Sequence, residues 1–561
     1  MKTKLLLLAS ALACASLAQA QPAITNVTNA ASYAATGLPG AGIAQGSIFV
    51  VFGRNMGPAT LVQSGLPRPT AAGLSGTRVR ITVNATNYDA PMIYTSAGQV
   101  AAIMPSNVPL TSQANVVVLF NDQPSSPFPV AVVRSAVGIF TLNSAGSGPG
   151  VITDGNYTPV TFTTALNPGQ AGIIWANGLG AVTPNEDING SNGAIPNPPQ
   201  VEVFVGGKTA QVLYAGRTPG ATGLDQINFT MPADLEGCAV PIVVRVNGNT
   251  GVISNFVSTS VARSGRVCRD RGFTEADFQS AAGGALRFGN LSLGRTTVKS
   301  SAQGFDLSAR FDFGSASFFR FDYNTLIRSS TVAEPPPGAC TVSTFAGESE
   351  PNDPALNAIT PLDAGASIGV NGPNGAKTIA KTTPGFYSSQ LGGGTTISGL
   401  PPGVPNPFPN NMPDYLAAGE YTFTGPGGAD VGAFTARLNF PQPLTWTNEA
   451  SITSVNRTQD LRITWTGGAA NDLVVISGSS ARTSPTVGGT FICYSVASAG
   501  SFSVPSWVLS ALPISASAQG TPTGQLLGGS TSLEPGRFTA PGIDIGVASY
   551  FNYSGKNVNY Q

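Results

Sequence analysis

The sequence predicts an all-β protein of tandem Ig-like β-sandwich domains, with a loop-rich β domain in the middle. Three observations carry that expectation. Apolar and polar residues alternate at a period of two between Gly, Asn and Pro clusters, the pattern of half-buried strands. The stretch Thr77–Pro105 returns in altered form as Gln200–Pro232, so the chain contains a duplication. At 561 residues it is also too long for one hydrophobic core.

Both copies follow one plan. An alternating strand (Val79, Ile81, Val83; Val201, Val203, Val205) leads through a turn to a Tyr-ended strand (Met92-Ile93-Tyr94; Val212-Leu213-Tyr214). A Gln-to-Pro segment follows with the same spacing in each, Gln99 to Pro105 and Gln226 to Pro232. The second copy carries an insertion, Arg217–Gly223. Upstream, Gly46 and Gly57 bracket a strand ending near Phe52, as Gly169 and Gly180 bracket one containing Trp175. The duplication therefore spans two Ig-sized units rather than the ~20–50-residue repeats of a solenoid. Tyr94 with Gln99, and Tyr214 with Gln226, are expected at matching core positions where their polar atoms satisfy local backbone.

The N-terminus has the form of an export signal: Lys2 and Lys4, an apolar run Leu5–Ala13, and Ala18-Gln19-Ala20 before Gln21. A lipoprotein alternative rests on Cys14, where Leu12 sits one place later than a lipobox prefers. The expected division is a signal peptide at 1–20 and sandwich units at 21–136 and 137–268. A loop-rich β-sandwich or jelly-roll-like domain is expected at 269–440 and an Ig-like sandwich at 441–561.

The segment GSIFVVFGRNMGP, the segment VLYAG…PGATGLDQINFTMP and the Cys238…Cys268 closure resemble a family of uncharacterised secreted acidobacterial proteins with paired Ig/TIG-like sandwich units. The resemblance covers about 31–268. It implies fold and export and brings no catalytic residues with it. In that family the pair usually stands at the C-terminal end, whereas here it comes first. GPGGADVGAFTA and PLTWTN resemble other exported acidobacterial β-rich proteins.

Beyond Arg269, Phe273–Phe278 is the one short helix the pattern suggests. Phe311, Phe313, Phe319, Phe321 and Tyr323 share one parity and Asp312, Arg320 and Asp322 the other. That reads as an amphipathic strand pair turning at Gly314-Ser315. Gly393–Pro413 reads as loop. Strands are expected at 366–370, 377–381, 420–423 and 434–440, and a boundary at Pro441 and Pro443. Five more follow at 444–446, 461–465, 473–476, 490–494 and 500–504.

Four cysteines remain after cleavage: Cys238, Cys268, Cys340 and Cys493. An even count in an exported chain points to two disulfides, with three connectivities open. Cys238–Cys268 would staple a domain end, and Cys340–Cys493 would then follow by elimination.

The chemistry is bounded chiefly by what is missing. The chain contains no histidine, which removes Ser-His-Asp and Cys-His mechanisms and His-liganded metals. Gly365–Gly369 matches G-x-S-x-G only as a string, and Gly206-Gly207-Lys208-Thr209 is a hairpin turn rather than a phosphate loop. Lys+Arg and Asp+Glu balance at 28 each, giving no basic footprint for nucleic acid. No later segment approaches the ~20 apolar residues of a membrane span. Glu348, Glu350, Asn352 and Asp353 form the densest acidic cluster and a candidate calcium site, the one cofactor considered. Arg217, Thr218 and Thr222 mark an expected accessible contact loop. Of the four tryptophans, Trp175, Trp446 and Trp465 lie within apolar strand patterns and fit core packing and Trp507 does not, whereas an exposed aromatic row on one sheet would point to carbohydrate.

The expected role is non-enzymatic: structural, adhesive or glycan-binding at or outside the cell surface, with an extracellular glycan or surface protein as partner. The alternative is a carboxylate-type glycoside hydrolase housed in 269–440.

Overall fold

A computed structural model describes residues 21–561 apart from 183–188, 191–194, 196–197, 249–251, 303–304, 330–332, 348–357, 399–410, 471, 516 and 519–520. The chain is all-β and Ig-like in construction, as the alternation requires. In the first unit a five-stranded sheet faces one of six strands. Their inward residues, among them Phe49, Val51, Val79, Ile81, Val100 and Val116, form one core. In the second unit ten strands join through Lys208–Arg217, which pairs with Val201–Val205 on one side and Asp225–Thr230 on the other. The turn at Gly206 and Gly207 takes φ of 57° and 78°, values that suit glycine in a two-residue hairpin.

The second half of the chain is organised by one fifteen-stranded sheet. Helix α1 (Glu275–Ala282) precedes it, started by a capping box between Thr274 and Asp277. The central strands are β1 (Ala285–Ala302), β2 (Phe305–Asp322), β3 (Phe386–Ser398), β4 (Asp472–Thr483), β5 (Gly524–Ser532) and β6 (Ile545–Tyr560). Their order across the sheet is β4-β5-β6-β1-β2-β3.

Three expectations change here. β2 runs without interruption through Gly314-Ser315 and pairs with β1 from Ala285↔Asp322 to Ala302↔Phe305, so the hairpin does not turn at those residues. The expected loop from Gly393 begins as strand, since β3 continues to Ser398. The boundary at 440/441 also fails to divide the sheet. β6 lies parallel to β1, in register from Phe288↔Ile545 to Lys299↔Lys556, and so ties the end of the chain to its middle.

The inner face of this sheet carries two cores. Leu291, Leu293, Ala316 and Phe318 pack beneath Tyr421, Phe423, Phe434 and Phe440. Val474, Ile476, Leu526, Val558 and Tyr560 pack beneath Trp446, Ile463 and Trp465 of a small three-stranded sheet. Among the described residues no helix is long and apolar enough to cross a membrane.

Candidate functional site

The side chains of β2 alternate in burial, as an amphipathic strand requires. Asp312 has no exposed surface, and Ala316 and Phe318 are buried beside it on the inner face. Phe311, Phe313, Ser315 and Ser317 stand half-buried on the outer face. What admits a carboxylate to the interior is Arg295, its register partner on β1. Arg295 Nε and Nη2 donate to the two Asp312 oxygens at 2.7 and 2.8 Å. The backbone N–H groups of Tyr415 and Leu416 donate to Asp312 Oδ2 at 2.7 and 2.8 Å. A fully ligated carboxylate is stable inside, whereas an unpaired one is not.

The outer face is an aromatic surface broken by small polar groups. In register across the sheet, Phe313 meets Gly294 and Gly294 meets Phe551. One row along, Phe311 meets Thr296 and Thr296 meets Tyr553. Gly294 has to be glycine because the Phe551 ring occupies the space that a Cβ would fill. Phe311 and Phe313 have ring centroids 6.1 Å apart, and Phe551 and Tyr553 stack at 5.3 Å. On β3, Phe386 is exposed, with Ser388 and Gln390 following on the same face. In the next row on the other side of Phe313, Ser292 and Ser315 share a hydrogen bond of 2.7 Å. Phe313 and Phe551 lie two strand spacings apart, about 10 Å.

The face is open only in part. At one end Phe288, Phe319 and Phe321 are covered by α1 and by Phe162 and the Cys238–Cys268 disulfide of the second unit. At its flank Tyr494 and Tyr553 lie beneath the linker residue Arg271, and burial pushes both phenols up to about 12. Phe311, Phe313 and Phe551 are left between these covers.

A cleft of about 550 Å³ sits where the second unit meets the linkers around Arg269 and Pro336. Four of its acids are engaged. Glu236 pairs with Arg263 at 3.4 Å, Glu534 with Arg269 at 3.6 Å, and Glu334 with Arg271. Asp270 accepts the N–H of Arg271 at 2.8 Å and that of Glu334 at 3.1 Å. Burial raises the Asp270 carboxyl to about 7, against the lowering effect of Arg271.

The residues singled out from sequence are scattered. Glu348, Glu350, Asn352 and Asp353 lie outside the described residues, as does Cys14. The expected contact loop is not accessible: Arg217, Thr218 and Thr222 are all buried. Arg217 pairs with buried Asp225 and donates from Nη2 to Gly46 O at 2.9 Å, reaching into the first unit. Thr222 Oγ1 accepts from Arg68 Nε at 3.1 Å, and Gly223 sits against Ile48 and Ile103. The insertion is a latch between units because Arg217 and Thr222 find partners in the first unit.

Gln99 Nε2 donates to Tyr94 Oη at 2.8 Å, whereas Tyr214 is exposed and donates to Arg217 O at 2.6 Å. Matching positions thus have different surroundings. Both disulfides form, Cys238–Cys268 and Cys340–Cys493, the latter joining register partners on adjacent strands. Trp446 and Trp465 are buried, and Trp507 stacks on Phe204 and Phe256 of the second unit at 5.2 and 5.7 Å. Phe551, Tyr553 and Phe386 went unremarked in the sequence. Their signal was the aromatic pair Phe551-Asn552-Tyr553 at the period of a strand.

No family model matches the chain, and no curated protein matches it. Among solved structures it aligns with a protein of unknown function from Bacteroides thetaiotaomicron at 10% identity, over 56% of this chain and 60% of that one, with a TM-score of 0.15. It aligns with Bacteroides ovatus SGBP-B of a mixed-linkage glucan utilization locus, in complex with a heptasaccharide, at 10% identity, 83% and 84% coverage and TM-score 0.13. The mouse nectin-like molecule 4 ectodomain aligns at 8% identity, 71% and 95% coverage and TM-score 0.14. At scores this low the likenesses bear on neither site nor ligand.

Proposed function

We propose that this is an exported, non-enzymatic β-sandwich scaffold that holds glycans at or outside the cell surface, on the outer face of its long sheet. The observation that supports this most is the aromatic row Phe311, Phe313 and Phe551 facing outward while a charged pair is taken inside. Aromatic faces offer flat apolar surface to the C–H faces of sugar rings, and Thr296, Ser315, Ser388 and Gln390 offer donors and acceptors to sugar hydroxyls. Outward aromatics cost solubility and contribute little to the core, so they imply an interaction. The scaffold role rests on the buried Arg217 latch and the Trp507 stack, which fix neighbouring units to one another.

Glycoside hydrolysis would need two carboxyl groups facing each other about 5–10 Å apart. Glu236, Asp270, Glu334 and Glu534 of the charged cleft instead meet arginines and backbone amides, which favours binding without turnover. A glycan array run beside a reducing-sugar release panel tests the reading. Retention without release is expected. Release of reducing ends would overturn the non-enzymatic assignment, and retention on no glycan would overturn the glycan assignment.

A further inference from the structure

A second cleft of about 390 Å³ opens where both sandwich units meet the C-terminal region. Its walls come from the first unit at Ser32, the second unit at Ser147 and Phe256, and the C-terminal region at Thr344 and Arg457. That volume falls in the range of small-molecule pockets.

Arg457 sets the chemistry. Its Nη1 donates to two carbonyls, Leu512 O at 2.6 Å and Ser510 O at 3.3 Å, both neutral. Its Nε is buried with no acceptor among the described residues. No carboxylate among them lies within ion-pair distance of it, although Arg217, Arg245, Arg271 and Arg295 all have one. Desolvation lowers its pKa with nothing opposing it. A guanidinium in a cleft wall without a counter-ion is a site short of one negative charge.

We propose that this cleft binds a hexuronate, an acidic sugar whose carboxylate meets Arg457. A single cation suits a monoanionic carboxylate better than a phosphate dianion. The hydroxyls of Ser32, Ser147 and Thr344 suit the sugar hydroxyls, and half-buried Val252 and Ile253 suit the ring. The inference goes beyond the glycan-binding reading by adding a second site, for an acidic sugar, at a place separate from the aromatic face.

The test is calorimetric titration of the full chain with D-galacturonate, D-galactose and inorganic phosphate. Galacturonate is expected to bind, and galactose and phosphate to bind at least about tenfold more weakly. Arg457→Met should abolish galacturonate binding. Because Arg457→Met also removes the hydrogen bonds to two carbonyls, Thr344→Trp serves as a second variant. Thr344 is exposed on an edge strand, and a Trp there would fill the cleft while leaving Arg457 in place. Both folded variants should lose galacturonate and keep neutral glycans on the sheet. No binding of galacturonate, equal binding of phosphate, or binding unchanged by Thr344→Trp would each overturn the inference. Neutral glycans still retained in those cases would leave the proposed function standing.

Discussion

The two faces of the long sheet differ in a way that neither composition nor hydropathy would suggest. Inside, at the centre of the sheet, lies a charged pair, Arg295 and Asp312, with four hydrogen bonds on the carboxylate. Outside, one row of side chains away, lie Phe311, Phe313 and Phe551. Burial follows whether polar groups can be satisfied, and not polarity alone. A face that keeps aromatics in contact with water while a carboxylate is accommodated within is arranged for something other than stability.

Four substitutions break or sharpen that contrast. Asp312→Ala removes one partner of the buried pair and strands Arg295, and should cost about 3–5 kcal/mol in chemical denaturation while leaving glycan retention intact in the folded fraction. Gly294→Ala sets a methyl against the Phe551 ring. It should cost about 1–3 kcal/mol and weaken retention by displacing that ring. Phe311→Ala with Phe313→Ala should cost only about 1–2 kcal/mol, below the range for fully buried aromatics, but weaken glycan binding about tenfold or more.

The smallest effect concerns Asp270, near the linker that covers the flank of the aromatic face. Its carboxyl titrates near 7 in the folded chain and near the ordinary 3.8 when unfolded. The folded state therefore binds more protons between those values, so this group's contribution to stability declines as pH rises from about 4 to 7 and is level above. Relative to wild type, Asp270→Asn should gain melting temperature at pH 8 compared with pH 5. Parallel curves would remove the assignment.

Much of the architecture could be read from alternation and from the repeated Tyr-to-Gln segments, because strands bounded by turn residues leave a local signature. The strands expected at 434–440 and 444–446 are present with those bounds. Facing was harder to read. A period of two separates the sides of β2 but does not say which is inside. Phe311 and Phe313 stand on one parity and Ala316 and Phe318 on the other, so hydropathy alone names no inner side. The deciding contact, Arg295 with Asp312, depends on a strand pairing that the misplaced turn at Gly314-Ser315 concealed. The insertion at 217–223 misled for a related reason: Arg217 is polar, yet its partners Asp225 and Gly46 O come from elsewhere in the chain. The 440/441 boundary was proposed from prolines, while the parallel pairing of β6 with β1 links residues far apart in sequence and leaves no local mark.

The central claim is that the outward aromatics of the long sheet bind glycan. Its most direct test compares wild type with Phe313→Ala/Phe551→Ala on the glycans that the wild type retains, with melting temperature followed in parallel. Retention should fall by about tenfold or more while the variant still melts cooperatively as a folded protein. Equal retention by a folded double variant would contradict it.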